Sequence, residues 1–261
     1  MRSLSIAATG MLAQQTNVDV ISNNIANMNT TAFKRQRAEF QDLLYQQAQR
    51  PGGATSGTDS LAPSGIQIGS GVKTAGIYRI AEQGALTQTS NRFDVAIDGQ
   101  GYFQVDLPTG ATAYTRAGSF QVSDQGELVT SDGLRVQPGI AIPQGVVDVV
   151  ISKTGEVQVK NADTPALQTV GQLQLATFTN EAGLEALGGN LFVETAASGQ
   201  ASIASPGEPG YGTLVQGFLE ASNVNPVSEI TALITAQRAY EMNSRVVKTA
   251  DEMLATTSQM R

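Results

Sequence analysis

The chain has 261 residues, of which 41% are hydrophobic and only 15% charged, with a net charge of −7. That length carries one large domain or two smaller ones, and the acidic balance argues against a nucleic-acid partner, which calls for a basic face. Cys, His and Trp are all absent, which removes thiol chemistry, disulfides, the usual zinc sites and the commonest general base.

The charge is unevenly spread. Residues 1–45 hold four basic and three acidic side chains, 220–261 hold four and five, and 46–219 hold eight and fifteen. Near-neutral ends can associate without self-repulsion, while an acidic middle suits a solvent-facing body. No apolar run reaches the eighteen or so residues of a membrane span, so direct membrane insertion is not expected. Arg2 and Leu4–Leu12 have some ingredients of a secretion signal. Ser5, Thr9 and Gly10 interrupt the apolar run, and no cleaved signal is expected.

Residues 3 to about 29 show a helical period. Leu4, Met11, Val18 and Ile25 fall seven apart, and Ala7, Gln14, Ile21 and Met28 follow each by three. This is an a/d heptad seam, weakened by the small Ala7, the polar Gln14 and the nearby Gly10. Such a helix is marginal alone and is expected to be completed by a partner. Its end is rich in asparagine: Asn23, Asn24, Asn27 and Asn29. Asn27 and Asn29 read as a helix stop, where Asn takes the left-handed conformation. Asn23 and Asn24 lie further in and read as polar contacts across a helix–helix interface. Asn17 and Asn24, seven apart, could set register there or simply be solvated.

Residues 31–45 are amphipathic but mixed, with Phe33 and Phe40 among Lys34, Arg35 and Arg37. Gln46–Ser64 is rich in Gln, Gly, Ser, Thr and Pro. It buries too little apolar area to offset its ordering entropy, and reads as a flexible loop that something outside the domain orders.

From Ile66 to about Ile203 the pattern changes to short alternating runs ended by turn residues. They include Phe93–Ile97 before Asp98-Gly99, Tyr102–Val105, Glu127–Thr130 before Asp132-Gly133, and Val146–Ile151 before Thr154-Gly155. Gln172–Phe178 reads as one continuous strand. This is the signature of an antiparallel sheet. Leu214–Glu220 reads as one more extended segment. Asn225-Pro226 then opens a last helix, with Asn225 capping, Pro226 in the first turn and Glu229 beside it. It should run to about residue 258, with a stripe of Ile230, Leu233, Ala236, Ala239/Tyr240, Val246/Val247, Ala250 and Met253/Leu254.

The expected fold is therefore α+β. Long N- and C-terminal helices pair as a coiled-coil-like layer, with an antiparallel all-β body inserted between them and extended linkers joining the two. The expected division is 1–30 with 226–261 as the helical core, 31–70 with 206–225 as the connecting segment, and 71–205 as the body.

Catalytic signals are weak. Ser64–Thr74 lacks the Gly directly before Lys that a phosphate loop needs. Gly99-Gln100-Gly101 reads as a hairpin turn. The carboxylates Asp94, Asp98, Asp106, Asp124, Glu127, Asp132 and Asp148 show no spacing that singles out a pair. Ser152-Lys153 is the one adjacent Ser–Lys pair, and it falls in a turn. The chain is read as no enzyme, with no cofactor and no metal.

Four segments in order carry a family resemblance. Ser22–Asn27 with Thr30–Lys34, Asp94–Phe103, Tyr114–Phe120, and Ala221–Val227 continuing through Thr235–Ser244 resemble the signatures of the bacterial flagellar rod and hook axial proteins. In that likeness Asp94–Phe103 and Tyr114–Phe120 are successive hairpins. Leu61–Val72 is similar to the segment that marks distal-rod members, so the distal rod is the closest likeness, and a proximal rod or hook subunit the alternative. More remote alternatives are an extracellular β-fold enzyme and a binding module.

The resemblance implies a structural subunit that assembles with copies of itself into a helical, rigid tubular drive shaft carrying torque from motor to hook. It implies export by the flagellar type III apparatus without a cleaved signal. Its partners would be proximal rod proteins below, the hook protein above, and the surrounding P- and L-ring proteins, in the basal body from periplasm to outer membrane. The expected assembly interface is Leu4, Met11, Asn17, Val18, Ile21, Asn23, Asn24, Ile25, Met28 and Phe33 with Ile230, Leu233, Gln237, Tyr240, Asn243, Val247, Met253 and Leu254. The expected rod-stiffening segment contains Gln47, Pro51, Leu61, Pro63, Ile66 and Ile68.

Overall fold

A computed structural model of the chain describes residues 2–49, 65–143, 145–161 and 167–259. It divides into two compact units. One comprises residues 1–26, 36–79 and 225–261, the other 27–35 and 80–224.

The first unit holds both long helices, α1 (Arg2–Ala26) and α2 (Pro226–Gln259). At 34 residues α2 is about 50 Å long. Its start is capped as the sequence predicts: Val227 and Ser228 present their N–H groups to Asn225 Oδ1 at 3.1 and 3.4 Å. The helices pair antiparallel. Asn24 meets Glu229 at one end. Fourteen residues away on each helix, Gly10 lies against the Asn243 side chain. A methyl group on Gly10 would fall 2.9 Å from Asn243 Nδ2, so glycine permits the close approach.

The same unit contains four strands, β1 (Gln36–Asp42), β2 (Tyr45–Gln49), β3 (Ile66–Gly69) and β4 (Val72–Arg79). β1 pairs with β4 and β2 with β3, all antiparallel. Leu43 N–H bonds Gly71 O at 2.8 Å and carries the pairing across the gap between the two ladders. The result is one long two-stranded ribbon. Gln46–Gln49 is therefore strand rather than loop, because backbone pairing with Ile66–Gly69 satisfies groups that an isolated polar segment leaves to water. Residues 50–64, the remainder of the expected loop, lie outside the described residues. The ribbon rests on α1 where Val72 N–H donates to Thr9 Oγ1 at 3.3 Å. Gly71 has φ +122, and a Cβ there would fall 2.2 Å from Thr9 Oγ1.

The second unit is the β body. Its largest sheet has six antiparallel strands in the order Glu185–Gly188, Leu191–Val193, Thr112–Thr115, Tyr102–Asp106, Leu175–Thr177, Ser202–Ala204. Period-two alternation sends successive residues to opposite faces. Phe103 and Leu175 point into one core, with Val95, Ile97, Phe120 and Leu214. Tyr102 and Ala176 point into another, with Tyr114, Phe178 and Phe192. Edge-to-face ring contacts of 4.8 Å (Tyr114–Phe178) and 5.0 Å (Phe103–Phe120) add specificity to the two cores. A three-stranded sheet, 146–151, 156–161 and 168–172, closes the larger core.

Three local expectations are corrected here. Gln172–Phe178 is two strands. Gln172 ends one in the three-stranded sheet, and Leu175 begins another in the six-stranded sheet; Leu173 is buried between them and lets the chain serve both. Asp94–Phe103 is no hairpin, since Val95–Asp98 pairs with Thr213–Gln216 and Tyr102–Asp106 with Thr112–Thr115. Gly99-Gln100-Gly101 carries the chain from one sheet to another, with Gly99 and Gly101 at φ +113 and +141. Tyr114–Phe120 likewise leaves its strand at Thr115 and crosses to Val95, whose N–H bonds Gly118 O at 3.0 Å. Alternation alone cannot tell a turn that reverses from one that crosses.

Candidate assembly interface

The exposed apolar surface is concentrated on the first unit. Ala7, Ala13, Val20, Ile21 and Asn24 are the buried residues of α1. Leu4, Met11, Val18 and Ile25 are only half-buried, and Met28 lies exposed beyond the helix end. Ala7 and Ile21 of the expected seam are buried, and its other row is displaced. Ala13 and Val20 are buried where Met11 and Val18 were expected, because α1 packs against the ribbon as well as α2 and two partners widen the buried stripe. On α2, Ala236, Ala250 and Glu229 are buried, and Leu233, Asn243 and Val247 half-buried. Ile230, Gln237, Tyr240, Met253 and Leu254 are exposed, as are Asn23 on α1 and Gln47, Ile66 and Ile68 on the ribbon. Asn17 is half-buried and lines a groove of about 780 Å³ with Gln14, Phe40 and the first half of α2. Phe33 is half-buried in the β body. Pro51, Leu61 and Pro63 lie outside the described residues.

Asn24 is committed inside its own chain. Its Oδ1 accepts the Gln36 N–H and its Nδ2 donates to the Gln36 carbonyl, both at 2.9 Å. The same Nδ2 donates to Glu229 Oε2 at 3.1 Å. The carboxamide mimics a strand partner for the first residue of β1 and ties it to both helices. Neither Asn27 nor Asn29 has a positive φ, so α1 does not end in a left-handed asparagine; the left-handed residue of this stretch is Ala32, at φ 57, six residues past the helix end. Ala32 reaches that conformation because its N–H is held by Glu220 O at 2.8 Å.

Sequence reading missed the polar centre of the β body. The Glu220 side chain is fully buried. It accepts from Lys34 Nζ at 2.6 Å, Arg116 Nε at 2.5 Å and Gly84 N–H at 2.8 Å. Arg116 also caps the Gly99 and Gly101 carbonyls at 2.5 and 3.2 Å, and Lys34 donates to Glu82 O at 2.8 Å. Beside it, Asn223 accepts the Arg35 N–H at 2.7 Å and donates to the Ile80 and Glu82 carbonyls at 3.0 Å. Two of the recognised segments, through Lys34 and Arg116, thus meet on one carboxylate, and Arg116 ties in a third through the Gly99 and Gly101 carbonyls. The available signal was that Lys34, Arg116 and Asn223 sit inside the motifs, each next to residues that bury.

Burial lowers the Lys34 pKa below its ordinary 10.5, and the positive charge of Arg116 lowers it further, against the opposing pull of Glu220. Between the lowered value and 10.5 the unfolded chain holds the extra proton, so Lys34 makes the body more stable as pH rises through that window. The measurement is an NMR titration of the Lys34 ε-methylene, with a midpoint expected below 10.5; a midpoint at or above that value contradicts the assignment.

Comparison with known proteins bears on what the two units are. Residues 4–34 match the flagella basal body rod protein family, 96–159 the flagellar hook protein FlgE/F/G D1 domain, and 215–260 the flagellar basal body rod FlgEFG protein C-terminal family. The chain is 63% identical over 261 residues to the flagellar basal-body rod protein FlgG of Caulobacter vibrioides, covering 100% of both. The chain belongs to the FlgG family of flagellar basal-body rod proteins. It is 51% identical to the Agrobacterium fabrum FlgG, over 99% of each chain. Similarity to the hook protein FlgE of Treponema pallidum spans 54% of this chain and 30% of that one, so FlgG relatives match along the whole length and this hook protein does not. FlgG-family membership assigns the chain to the flagellar basal body, in a structural rather than a catalytic family.

Proposed function

We propose that this chain is a structural subunit of the distal rod, assembling with copies of itself into the rigid tubular shaft that carries torque from motor to hook. The observation that carries this reading is the full-length match to rod proteins named FlgG, 63% identical with neither chain left uncovered. The structure supports it physically: the two long helices bury Ala7, Ala13, Val20, Ile21, Ala236 and Ala250 and leave the larger Leu12, Val227, Ile230, Ile234, Met242 and Val246 exposed. Apolar faces of that extent call for neighbours. Heterologous contacts, in which one surface meets a different surface on the next copy, generate an open helical filament.

In this reading 1–30 with 226–261 form the axial core, 31–70 with 206–225 connect, and 71–205 form the body, except that Val72–Arg79 pairs with Gln36–Asp42 in the helical unit. Leu4, Met11, Val18, Ile25 and Met28 with Ile230, Tyr240, Met253 and Leu254 meet neighbouring subunits. Proximal rod proteins lie below, the hook protein above, and the P- and L-ring proteins around, after export without a cleaved signal. The shaft works by contact alone, without catalysis or cofactor.

The test is replacement of the resident FlgG gene of Caulobacter vibrioides by one for this chain. Hook-bearing basal bodies and swimming are expected; basal bodies that stop short of the hook overturn the reading. Deleting residues 48–65 in the same strain is expected to leave the body folded and the shaft more flexible. Unchanged bending stiffness removes the stiffening role from Pro51, Leu61 and Pro63, the residues the deletion takes out.

A further inference from the structure

The β body holds a second polar feature, open to solvent where the Glu220 centre is closed. A cleft of about 330 Å³ is walled by four separate stretches, 29–31, 115–119, 130–132 and 189–191. All four belong to the same compact unit. That volume lies at the small end of ligand-binding cavities. Among the described residues, Ala32 and Asn190 are the two non-glycine residues with positive φ, at 57 and 60. Both stand at this cleft: Asn190 lines it, and Ala32 directly follows Thr31, which also lines it. Asn190 is tied to two of the walls. Its Nδ2 donates to the Thr31 carbonyl at 3.1 Å, and its own carbonyl accepts from Thr115 Oγ1 at 2.9 Å. Non-glycine residues held left-handed cost energy and cluster at functional sites, where the surrounding contacts fix a required geometry.

The lining selects a class of ligand. The side chains of Asn29, Thr31, Ser119, Ser131 and Asp132 line the cleft and make no hydrogen bond to protein among the described residues. Hydroxyls and carboxamides both donate and accept, so they suit ligand groups that do the same. Asp132 is the one charge in the lining, and no Lys or Arg is there. A phosphate or carboxylate ligand would meet an anion and no cation. A hard divalent ion calls for several carboxylate or carbonyl oxygens closely set, and the lining has a single carboxylate. Leu191 and Ala117 give one small apolar patch and no aromatic wall. The ligand that fits is compact and rich in hydroxyls, with a C–H face and either no charge or a positive one.

We propose that this cleft binds a saccharide, neutral or amine-bearing. Its hydroxyls are shared among Asn29, Thr31, Ser119 and Ser131, and an ammonium group is set against Asp132. The site lies in the body, so it neither depends on the rod reading nor tests it. Binding is weak, because each hydroxyl gives up water for its protein partner and gains little net. Asp132 therefore decides the order among sugars.

The full 27.3 kDa chain, isotope-labelled for NMR, is titrated in mild acid with glucose, glucosamine and glucuronate, one ring bearing no charge, a positive charge and a negative charge. Saturable shifts are expected at the Thr31, Ser119, Asp132 and Asn190 amides, strongest with glucosamine and absent with glucuronate. Asp132→Asn should weaken glucosamine about tenfold, the scale of one hydrogen bond to a charged group, and bring it to the level of glucose. Ser131 is exposed at the rim, and Ser131→Phe should abolish every shift with the rest of the spectrum unchanged. Cellotriose separates two sources of the same chemistry: tighter binding than glucose identifies the end of a glycan chain, and equal binding identifies a free sugar. Shifts that never saturate, that glucuronate reproduces, or that survive Ser131→Phe overturn the site.

Discussion

Replacing Glu220 with glutamine is expected to destabilise the β body by about 3–5 kcal/mol, the scale for removing one partner from a buried ion pair. The carboxylate accepts from Lys34 at 2.6 Å and Arg116 at 2.5 Å, and its side chain is fully buried. Glutamine keeps the shape and one acceptor oxygen but no charge, so two buried cations would face each other with no counter-ion. Isolated buried charge is costly far beyond the loss of any one hydrogen bond. The effect should reach Lys34, Arg116 and Gly84 at once, because the Glu220 side chain accepts from all three. Urea unfolding followed by tyrosine fluorescence measures it, since Tyr102 and Tyr114 sit in the body's aromatic core. Adding Lys34→Met to Glu220→Gln removes one unpaired cation and should recover part of the loss, the coupling expected of groups in direct contact. A midpoint unchanged in the single variant, or a double variant worse than the sum of the two singles, contradicts the network.

The helices, their apolar stripes and the alternating body were legible because each rests on a local period. Asn225-Pro226 announced the start of α2 through backbone chemistry that needs no tertiary context. The sheet partners were not legible. Val95–Asp98 reads as half of a hairpin because Asp98-Gly99 is a common hairpin turn, yet it pairs with Thr213–Gln216, more than a hundred residues on. Nothing local distinguishes the two outcomes. The ribbon is not legible because its polar composition implies low burial, whereas its order comes from backbone ladders and from lying on α1. The Glu220 centre was missed for another reason: a charged residue at the end of a strand reads as solvated, and its burial depends on cations 186 and 104 positions away. The position of Asn24 inside the helix marks it as a polar contact to another element, and its partners are Glu229 and Gln36 of its own chain.

Replacing Asn24 with alanine is expected to destabilise the helical unit by about 2–4 kcal/mol, from buried partners left unsatisfied at about 1–3 kcal/mol each. Three hydrogen bonds go: two to the Gln36 backbone at 2.9 Å and one to Glu229 at 3.1 Å. Alanine is a better helix former than asparagine by a few tenths of a kcal/mol, which is too little to compensate. The loss should be directional. Gln36 is the first residue of β1, so releasing it frees the root of the ribbon, and hydrogen exchange at the Gln36 amide should rise more than at Phe40. Asn24→Asp separates the roles of the two side-chain atoms. It keeps an acceptor for the Gln36 N–H but sets a carboxylate against Glu229 and the Gln36 carbonyl. At neutral pH it should be at least as damaging as alanine, because like charges at this distance repel in a buried setting. Lowering the pH protonates one of the two carboxyls and restores a donor between them, so the aspartate variant should regain stability in acid where the alanine variant does not. Thermal unfolding by circular dichroism across pH 4–7 measures both. Equal pH profiles for the two variants would mean that Asn24 acts only as a space-filling residue between α1 and α2, and that the ribbon is rooted elsewhere.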